Sequence, residues 1–274
     1  MERYKKILSG SPGNVGTFYY GWDNELDKPV GIKEMHNLDK ILNEDNDRQL
    51  LLNEILLSTC IPQYSNLVTC NDVIINDKSN AKISLIIEVV AGESLKEKIE
   101  NFKINSLWIQ PENAVSIISQ IIQALLFLRE VKLTHIGNGT YDNIISKIEG
   151  IDKCFLYHGD IHEGNIIITE DERAVLIDWG QTYRIPHRRK MFANLPPELF
   201  YGNTDIVYRG EKSDVYCIAY LLFYLLTKQL PFKKDDLDLN EINAITRYYD
   251  RVKQSEFTVN GIVLPILRPR ELFL

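Results

Sequence analysis

Two short clusters of polar residues in the middle of the chain have the composition of a site that handles metal and phosphate. The first is His158-Gly159-Asp160, with Asn165 five residues after the aspartate, and the second is Asp178-Trp179-Gly180. Carboxylate and amide oxygens are hard ligands that suit magnesium, an ion that proteins commonly bind together with phosphate. The two clusters therefore predict phosphate chemistry, provided that the fold brings them together.

The segment between the two clusters indicates how the fold does this. Two short apolar runs, residues 166–168 and 174–177, flank the polar tract 169–173, a pattern that is typical of a β-hairpin. Because a hairpin holds its two ends side by side, we expect Asp160 and Asn165 to face Asp178.

This pattern resembles the catalytic loop and the magnesium loop of the protein kinase superfamily, H-R-D-x-x-x-x-N and D-F-G. The resemblance implies that Asp160 is the catalytic base and that Asn165 and Asp178 are the metal ligands. It also implies ATP and Mg²⁺ (or Mn²⁺) as cofactors. The chain departs from the pattern at Gly159, which replaces the arginine, and at Trp179, which replaces the phenylalanine.

Two segments near the start of the chain resemble the parts of a kinase that hold ATP. Predicted strands at residues 4–8 and 17–22 flank a loop rich in small residues. Against the pattern G-x-G-x-x-G, Gly13 and Gly16 match the second and third glycines, and Ser11 stands at the first. A third predicted strand, residues 29–34, carries Lys33 at the position of the lysine that holds the ATP phosphates.

A predicted helix over residues 47–60 has Glu54 within its apolar stripe. A buried carboxylate needs a cationic partner, and Lys33 is the candidate, as in the lysine–glutamate ion pair of kinases. The alternative is that Glu54 lies at the edge of a wide stripe.

Predicted strands over residues 67–75 and 83–90 follow. Residues 88–95 resemble the kinase hinge, in which backbone groups, here those of Glu88 and Val90, bind adenine.

Two apolar helices are predicted further along the chain. The first spans residues 112–130, and its apolar positions at helical spacing are assigned to the core: Val115, Ile118, Ile121, Ile122 and Leu125. The second spans residues 215–226, is apolar on all sides, and is N-capped by Ser213 or Asp214. With the resemblance, these elements imply an α+β, two-lobed kinase-like fold. The N-lobe, residues 1–90, is an ATP-binding antiparallel sheet plus one helix, and the C-lobe, residues 91–274, is mainly helical and carries the catalytic and metal loops.

Composition restricts the partners. The 274 residues carry a formal net charge of −7 and are 45% hydrophobic, which argues against nucleic acid or an anionic membrane as the main partner. The four cysteines have no C-x-x-C spacing, so neither a zinc site nor a disulfide framework is indicated. The N-terminus has no apolar signal segment, and we expect a cytoplasmic monomer that acts on a protein substrate.

Three functions remain open. The leading hypothesis is phosphorylation of Ser or Thr hydroxyls of proteins, which an A-P-E-like segment at 195–198 and the helix at 215–226 favour. The alternative is a small-molecule kinase, because the sequence from His158 to His162 resembles the H-G-D-x-H loop of aminoglycoside and choline phosphotransferases. His162, a further candidate catalytic residue, stands where Ser/Thr protein kinases carry lysine. The third possibility is a nucleotide-binding pseudokinase scaffold.

Overall fold

The computed structural model describes residues 3–12, 16–35, 55, 58–59, 61–76, 82–131, 158–178, 211–229, 256–259 and 262–265. Several predicted features lie outside these residues. They are Gly13 of the loop, Glu54 and most of its predicted helix, Trp179, and the segment at 195–198.

The first part of the chain forms one antiparallel sheet of five strands. The strands are β1 (Tyr4–Pro12), β2 (Gly16–Asp23), β3 (Lys28–Met35), β4 (Cys70–Asn76) and β5 (Lys82–Ile87). Their spatial order is β1-β2-β3-β5-β4. The three strands predicted near the start of the chain are confirmed, each a little longer than expected.

Alternation along these strands gives the sheet two different faces. On one face Val30, Ile32 and Ile86 form a buried apolar cluster. On the other face Lys33 lies directly between Phe18 of β2 and Leu85 of β5 in the strand register. The face with Lys33 therefore carries both an apolar surface and a cation.

The sheet differs from the prediction at three points. Ser11 belongs to strand β1 and not to a loop, because a register shift between Ser9 and Pro12 absorbs the extra residues. The predicted strand 67–75 begins only at Cys70, and the predicted strand 83–90 ends at Ile87. Leu67 instead forms a parallel bridge with Leu176, 109 positions later in the sequence, so its partner is one that local pattern does not reveal.

The rest of the described chain holds three helices and two small sheets. In order they are β6 (Gly92–Ser94), α1 (Leu95–Ile104), α2 (Pro111–Glu130), a 3₁₀ turn (Glu163–Asn165), β7 (Ile166–Thr169), β8 (Ala174–Leu176), α3 (Glu211–Thr227), β9 (Glu256–Val259) and β10 (Ile262–Pro265). Strands β6, β7 and β8 form one sheet, and β9 pairs with β10. Helix α1 was not predicted, although Ser94 and Glu97 form the capping box that starts it.

The main core joins α2, α3 and the β7–β8 hairpin. Ile117 and Ile121 of α2, Leu221 and Leu225 of α3, and Leu176 of β8 are all buried in one cluster. The α+β fold predicted from the sequence, an antiparallel sheet followed by a mainly helical part, is confirmed. The boundary between lobes at residue 90 stays a prediction.

The core assignment of α2 was partly wrong. Val115 is 56% exposed and Ile122 is 41% exposed, whereas Ala114, Ile117 and Ala124 are buried. Helix α2 has apolar residues on more than one face, but neighbouring elements among the described residues cover only one of these faces. In the described part of the chain, α2 is also the one helix long and apolar enough, by length and composition, to span a membrane. Its inner face packs against α3 and β8 in the manner of a core helix.

Candidate active site

The β7–β8 hairpin brings the two polar clusters together, as the sequence predicts. Ile166 pairs with Leu176, and one residue beyond this pair the amide of Ile177 donates to the carbonyl of Asn165 over 2.9 Å. Asn165 closes the 3₁₀ turn that precedes β7, and Asp178 follows directly after Ile177. The backbone hydrogen bond therefore holds the loop of Asp160 and Asn165 beside Asp178.

Lys33 joins the five-stranded sheet to this hairpin. Its Nζ lies 3.4 Å from Oδ1 of Asp178, a residue 145 positions away in the sequence. The Lys33 side chain is 20% exposed and that of Asp178 is 41% exposed. A long, partly hydrated ion pair of this kind is loosely held, so both groups can exchange this contact for others.

Asp160 is held in place by Asn165, the residue that the family pattern assigns to the metal. Nδ2 of Asn165 donates to the Asp160 carbonyl over 2.9 Å and approaches its Oδ2 at 3.3 Å. This orientation turns the amide nitrogen of Asn165 to Asp160 and leaves the amide oxygen for another partner. Nε2 of His162 lies 3.9 Å from Oδ2 of Asp160, and Nδ1 of the same ring accepts the Gly164 amide.

His158 lies beneath these groups and is fully buried. Its Nδ1 accepts the amide of Asp160 at 3.3 Å, so its Nε2 carries the proton that is donated to the Ile177 carbonyl at 3.0 Å. Burial lowers the pKa of His158 below its ordinary value, although Asp160 and Asp178 oppose this effect. Because both ring nitrogens are used internally, His158 is a neutral structural residue and not a zinc ligand.

Asp214 was assigned as a possible helix cap, and this was wrong. Helix α3 already begins at Glu211, so neither Ser213 nor Asp214 precedes it. Instead the buried Asp214 carboxylate accepts two backbone amides, that of His158 at 2.7 Å and that of Gly159 at 2.8 Å. It fixes the start of the loop that carries Asp160, from 55 and 56 residues away. The first turn of this helix is polar, with Glu211 and Lys212 beside Asp214, so the sequence does not single out the residue that binds the two amides.

The backbone has a left-handed conformation at two places in the site. Gly159 has φ of 79°, a value that suits glycine, and Asp178 has φ of 69°. Such a conformation is uncommon for a residue with a side chain. The hydrogen bonds on either side of the loop, from Gly159 to Asp214 and from Ile177 to Asn165, hold these turns in place.

Of the residues assigned to nucleotide binding, those that the structure describes lie along the sheet and after it. At Gly16 an added Cβ would meet the carbonyl oxygen of Glu34 at 2.4 Å, so the close approach of β3 requires this glycine whether or not phosphate binds. The Glu88 amide donates to the Thr69 carbonyl at 2.8 Å. The adenine prediction therefore concerns the Glu88 carbonyl and the Val90 backbone, in the coil between β5 and β6.

The donor set fits a magnesium ion bound together with phosphate. The half-exposed Asp178 carboxylate and the amide oxygen of Asn165 are hard oxygen ligands beside a cationic Lys33. Within the described residues no group of three Asp, Glu, His or Cys side chains forms a complete metal site. A cation here would need further oxygens, which the phosphates of a nucleotide could supply.

Comparisons with known proteins agree with this geometry. A family model described as RIO domain, a kinase-like domain, matches residues 109–193. CBL-interacting protein kinase 15 of rice is 22% identical over 271 residues, covering 95% of this chain and 52% of the rice protein. The serine/threonine-protein kinase PknL of Mycobacterium tuberculosis is 23% identical over 245 residues, covering 85% of this chain and 51% of PknL.

A yeast protein named fatty acyl-CoA synthetase and RNA processing-associated kinase 1 is 24% identical over 137 residues, covering 48% of this chain and 16% of the yeast protein. The chain thus spans about half the length of the rice and mycobacterial relatives that it matches. The matches to all three proteins are at low identity, and together with the fold they agree on one superfamily.

Proposed function

Because the chain is a member of the protein kinase superfamily, we propose that it is an ATP-dependent phosphotransferase whose acceptors are Ser or Thr hydroxyls of proteins. The observation that supports this most is the contact between Lys33 and Asp178, at 3.4 Å. A cation on the sheet and an acid on the hairpin meet beside Asp160, which is the arrangement that phosphoryl transfer requires.

In this proposal the acceptor hydroxyl oxygen forms a new bond to the γ-phosphorus of ATP while the bond from that phosphorus to the bridging oxygen breaks. ADP leaves with the electron pair of the broken bond. The hydroxyl proton passes to the carboxylate of Asp160, the general base. Asn165 orients that carboxylate, since its amide nitrogen lies 3.3 Å from Oδ2.

The remaining polar groups neutralise the phosphates. Lys33 would exchange its contact with Asp178 for phosphate oxygens, and Asp178 and Asn165 would hold the metal ion. A bound magnesium ion supplies positive charge to the phosphate oxygens. Preorganised charges of this kind commonly make the largest single contribution to such catalysis.

One observation favours a second acceptor class, a small-molecule hydroxyl. His162 lies at the position of the lysine of Ser/Thr protein kinases, and its Nε2 is 3.9 Å from Oδ2 of Asp160. The relatives named above as protein kinases support the protein acceptor, whereas this histidine supports the small molecule. A pseudokinase scaffold is the weaker hypothesis, since Lys33, Asp160, Asn165 and Asp178 are all present.

The experiment is transfer of labelled γ-phosphate from ATP to casein and to an aminoglycoside, offered side by side. We expect labelled phosphoserine or phosphothreonine in the protein, and none with the Asp160→Ala variant. Label in the aminoglycoside alone would establish the second class. ATP binding without label in either acceptor would contradict the enzyme and favour the scaffold.

We also propose a cellular location and an oligomeric state for the chain. The net charge of −7 supports a protein acceptor over nucleic acid or an anionic membrane surface. We propose that the domain acts in the cytoplasm as a monomer. Sedimentation of the purified chain at several concentrations tests the second part, and a mass that rises with concentration would contradict it.

A further inference from the structure

The C-terminal ends of two helices meet at one place in the helical part of the chain. Helix α1 ends at Ile104 and helix α3 ends at Thr227. Between these ends Trp108 makes an edge-to-face contact with Tyr224 at 5.7 Å between ring centroids, and its Nε1 donates to the carbonyl of Leu225. The indole therefore joins the turn that follows α1 to the end of α3.

Each helix end carries an exposed lysine that lies over one of these rings. The ammonium of Lys103 is 5.4 Å from the centroid of the Tyr224 ring and donates to the Tyr224 hydroxyl over 2.7 Å. The ammonium of Lys228 is 5.5 Å from the centroid of the Trp108 ring. Within the described residues neither ammonium forms an ion pair with a carboxylate. The rings thus hold both positive charges at positions that an anion from outside can reach.

Two exposed apolar side chains lie in the turn that follows α1. Ile104 is 80% exposed and Leu107 is 59% exposed. Backbone hydrogen bonds close this turn, from the Ser106 amide to Lys103 at 3.1 Å and from the Leu107 amide to Phe102 at 2.8 Å. We call this surface the α1–α3 corner, and it consists of Lys103, Ile104, Leu107, Trp108, Tyr224 and Lys228.

The charge of the α1–α3 corner is opposite to that of the whole chain. Residues 101–110 and 215–229 contain two lysines and no acidic residue, whereas the chain has 38 acidic and 31 basic residues and a net charge of −7. Exposed apolar side chains next to aromatic rings are typical of a surface that binds another protein. The local positive charge favours a partner segment that carries acids beside its apolar side chains.

We propose that the α1–α3 corner is a docking surface for an acidic, apolar segment of a partner protein. Apolar side chains of this segment pack on Ile104 and Leu107, and its carboxylates pair with Lys103 and Lys228. This inference goes beyond the proposed function, because the docking needs neither nucleotide nor metal.

The first test measures the binding of three labelled peptides by fluorescence anisotropy without nucleotide. In one peptide leucines are flanked by glutamates, and in the other two peptides glutamines or lysines replace every glutamate. We expect the glutamate peptide to bind roughly fivefold more tightly than the glutamine peptide, and added salt to remove this preference. The net charge of −7 by itself favours the lysine peptide. Tightest binding of that peptide, or no binding of the glutamate peptide, would therefore overturn the proposal.

The second test reverses the charge of single lysines. Lys103→Glu and Lys228→Glu should each weaken binding of the glutamate peptide roughly fivefold and leave the glutamine peptide unaffected. Lysines near a helix C-terminus also stabilise the helix, an effect that changes the melting temperature but not the choice between peptides. The matched control is Lys96→Glu, at an exposed lysine in the first turn of α1, which should bind as the wild-type chain does. An equal loss in Lys96→Glu would show that only the net charge matters and would overturn the proposal.

The third test removes apolar surface and keeps the charge. Leu107→Ser should weaken binding of the glutamate peptide roughly tenfold and, because Leu107 is 59% exposed, should melt at the wild-type temperature. Unchanged binding would overturn the proposal. A sedimentation mass that rises with concentration in the wild-type chain and not in Leu107→Ser would overturn it too, since a second copy of the chain would then occupy the surface.

Discussion

The site has a buried base, which consists of His158 and Asp214, and an exposed rim, which consists of Lys33, Asp160, His162 and Asp178. The two regions differ in how buried their polar groups are and in how long their contacts are. In the base His158 and Asp214 are almost completely buried, and their hydrogen bonds are 2.7 to 3.3 Å long. In the rim the side chains of Lys33, Asp160, His162 and Asp178 are 20% to 41% exposed. The contacts Lys33–Asp178 and His162–Asp160 are 3.4 and 3.9 Å long.

This difference separates two tasks. Buried groups lose the hydration that would compensate for a missing partner, so they hold fixed partners and determine the shape of the loop. The rim groups keep water and have longer contacts, so they could release one another to bind the proposed nucleotide and metal. Variants of the rim should therefore lose activity, and variants of the base should lose stability as well.

The largest expected effect is in the rim. Asp178→Asn removes the charge that would bind the metal, and loss of one such electrostatic contact commonly costs roughly 10²–10³ in rate. Because Asp178 is 41% exposed, the free energy of unfolding should change by less than about 1 kcal/mol. Transfer assays and chemical denaturation of the same preparation measure both quantities.

The matched control for this variant is Asp171→Asn, an exposed acid in the turn of the same hairpin, whose side chain is 74% exposed. We expect wild-type rates for it. Near-normal transfer by Asp178→Asn, or an equal loss in Asp171→Asn, would show that the metal role is wrongly assigned.

Much of the rim could be predicted from the sequence because its residues lie close together in the chain. Asp160, Asn165 and Asp178 belong to one hairpin, whose alternation of apolar and polar residues is readable locally. For these residues, the type of each side chain and its spacing along the chain were enough to predict that they lie together. Lys33 was assigned through the resemblance of its strand to the V-A-I-K strand of kinases.

The base could not be predicted in this way. Asp214 binds backbone amides 55 and 56 residues away, and amides have no residue-specific signal. Leu67 was placed in a strand, but its partner is Leu176 across the fold. Val115 and Ile122 are apolar yet exposed, since burial depends on which neighbours cover a helix and not on its pattern alone.

The second largest effect is expected for Asp214 in the buried base of the site. In Asp214→Asn an amide NH₂ replaces one acceptor oxygen, so one of the two backbone amides, the buried one of His158 or the partly buried one of Gly159, loses its partner. The expected cost is about 3 kcal/mol of unfolding free energy, and activity should fall with it. Denaturant titration checks this, and a stability equal to that of Asp178→Asn would remove the distinction between base and rim.

A smaller effect is expected at Gly159, which has φ of 79°. Gly159→Ala should cost about 1–2 kcal/mol, because a Cβ disfavours the left-handed conformation. A shift in melting temperature measures the loss. If the variant is as stable as the wild-type chain, the loop must be able to adopt another conformation without penalty.

The smallest effect is a dependence on pH that comes from His158. Burial lowers the pKa of this histidine in the folded chain below its ordinary value of 6.5, so the unfolded chain takes up the proton first as pH falls. The stability that His158 contributes is therefore present above pH about 6.5 and is lost below it. Asp160, Asp178 and His162 face the ring and also affect its titration.

The measurement for His158 is the melting temperature of the wild-type chain and of His158→Phe between pH 8 and pH 5. Phenylalanine keeps a ring but does not titrate, so the variant should be less stable at pH 8 and should lose less stability on acidification. Equal slopes in the two proteins would show that His158 is not the group responsible.

The most direct test of the distinction between base and rim is the shift in melting temperature that ATP produces with Mg²⁺ and with EDTA. A ligand that binds only the folded state stabilises it by about 2.7 kcal/mol at a concentration of 100 Kd. We expect a larger shift with Mg²⁺ in the wild-type chain. Asp178→Asn should melt close to the wild-type temperature without ligand and show no additional shift with Mg²⁺. A full magnesium-dependent shift in that variant would show that Asp178 does not hold the metal.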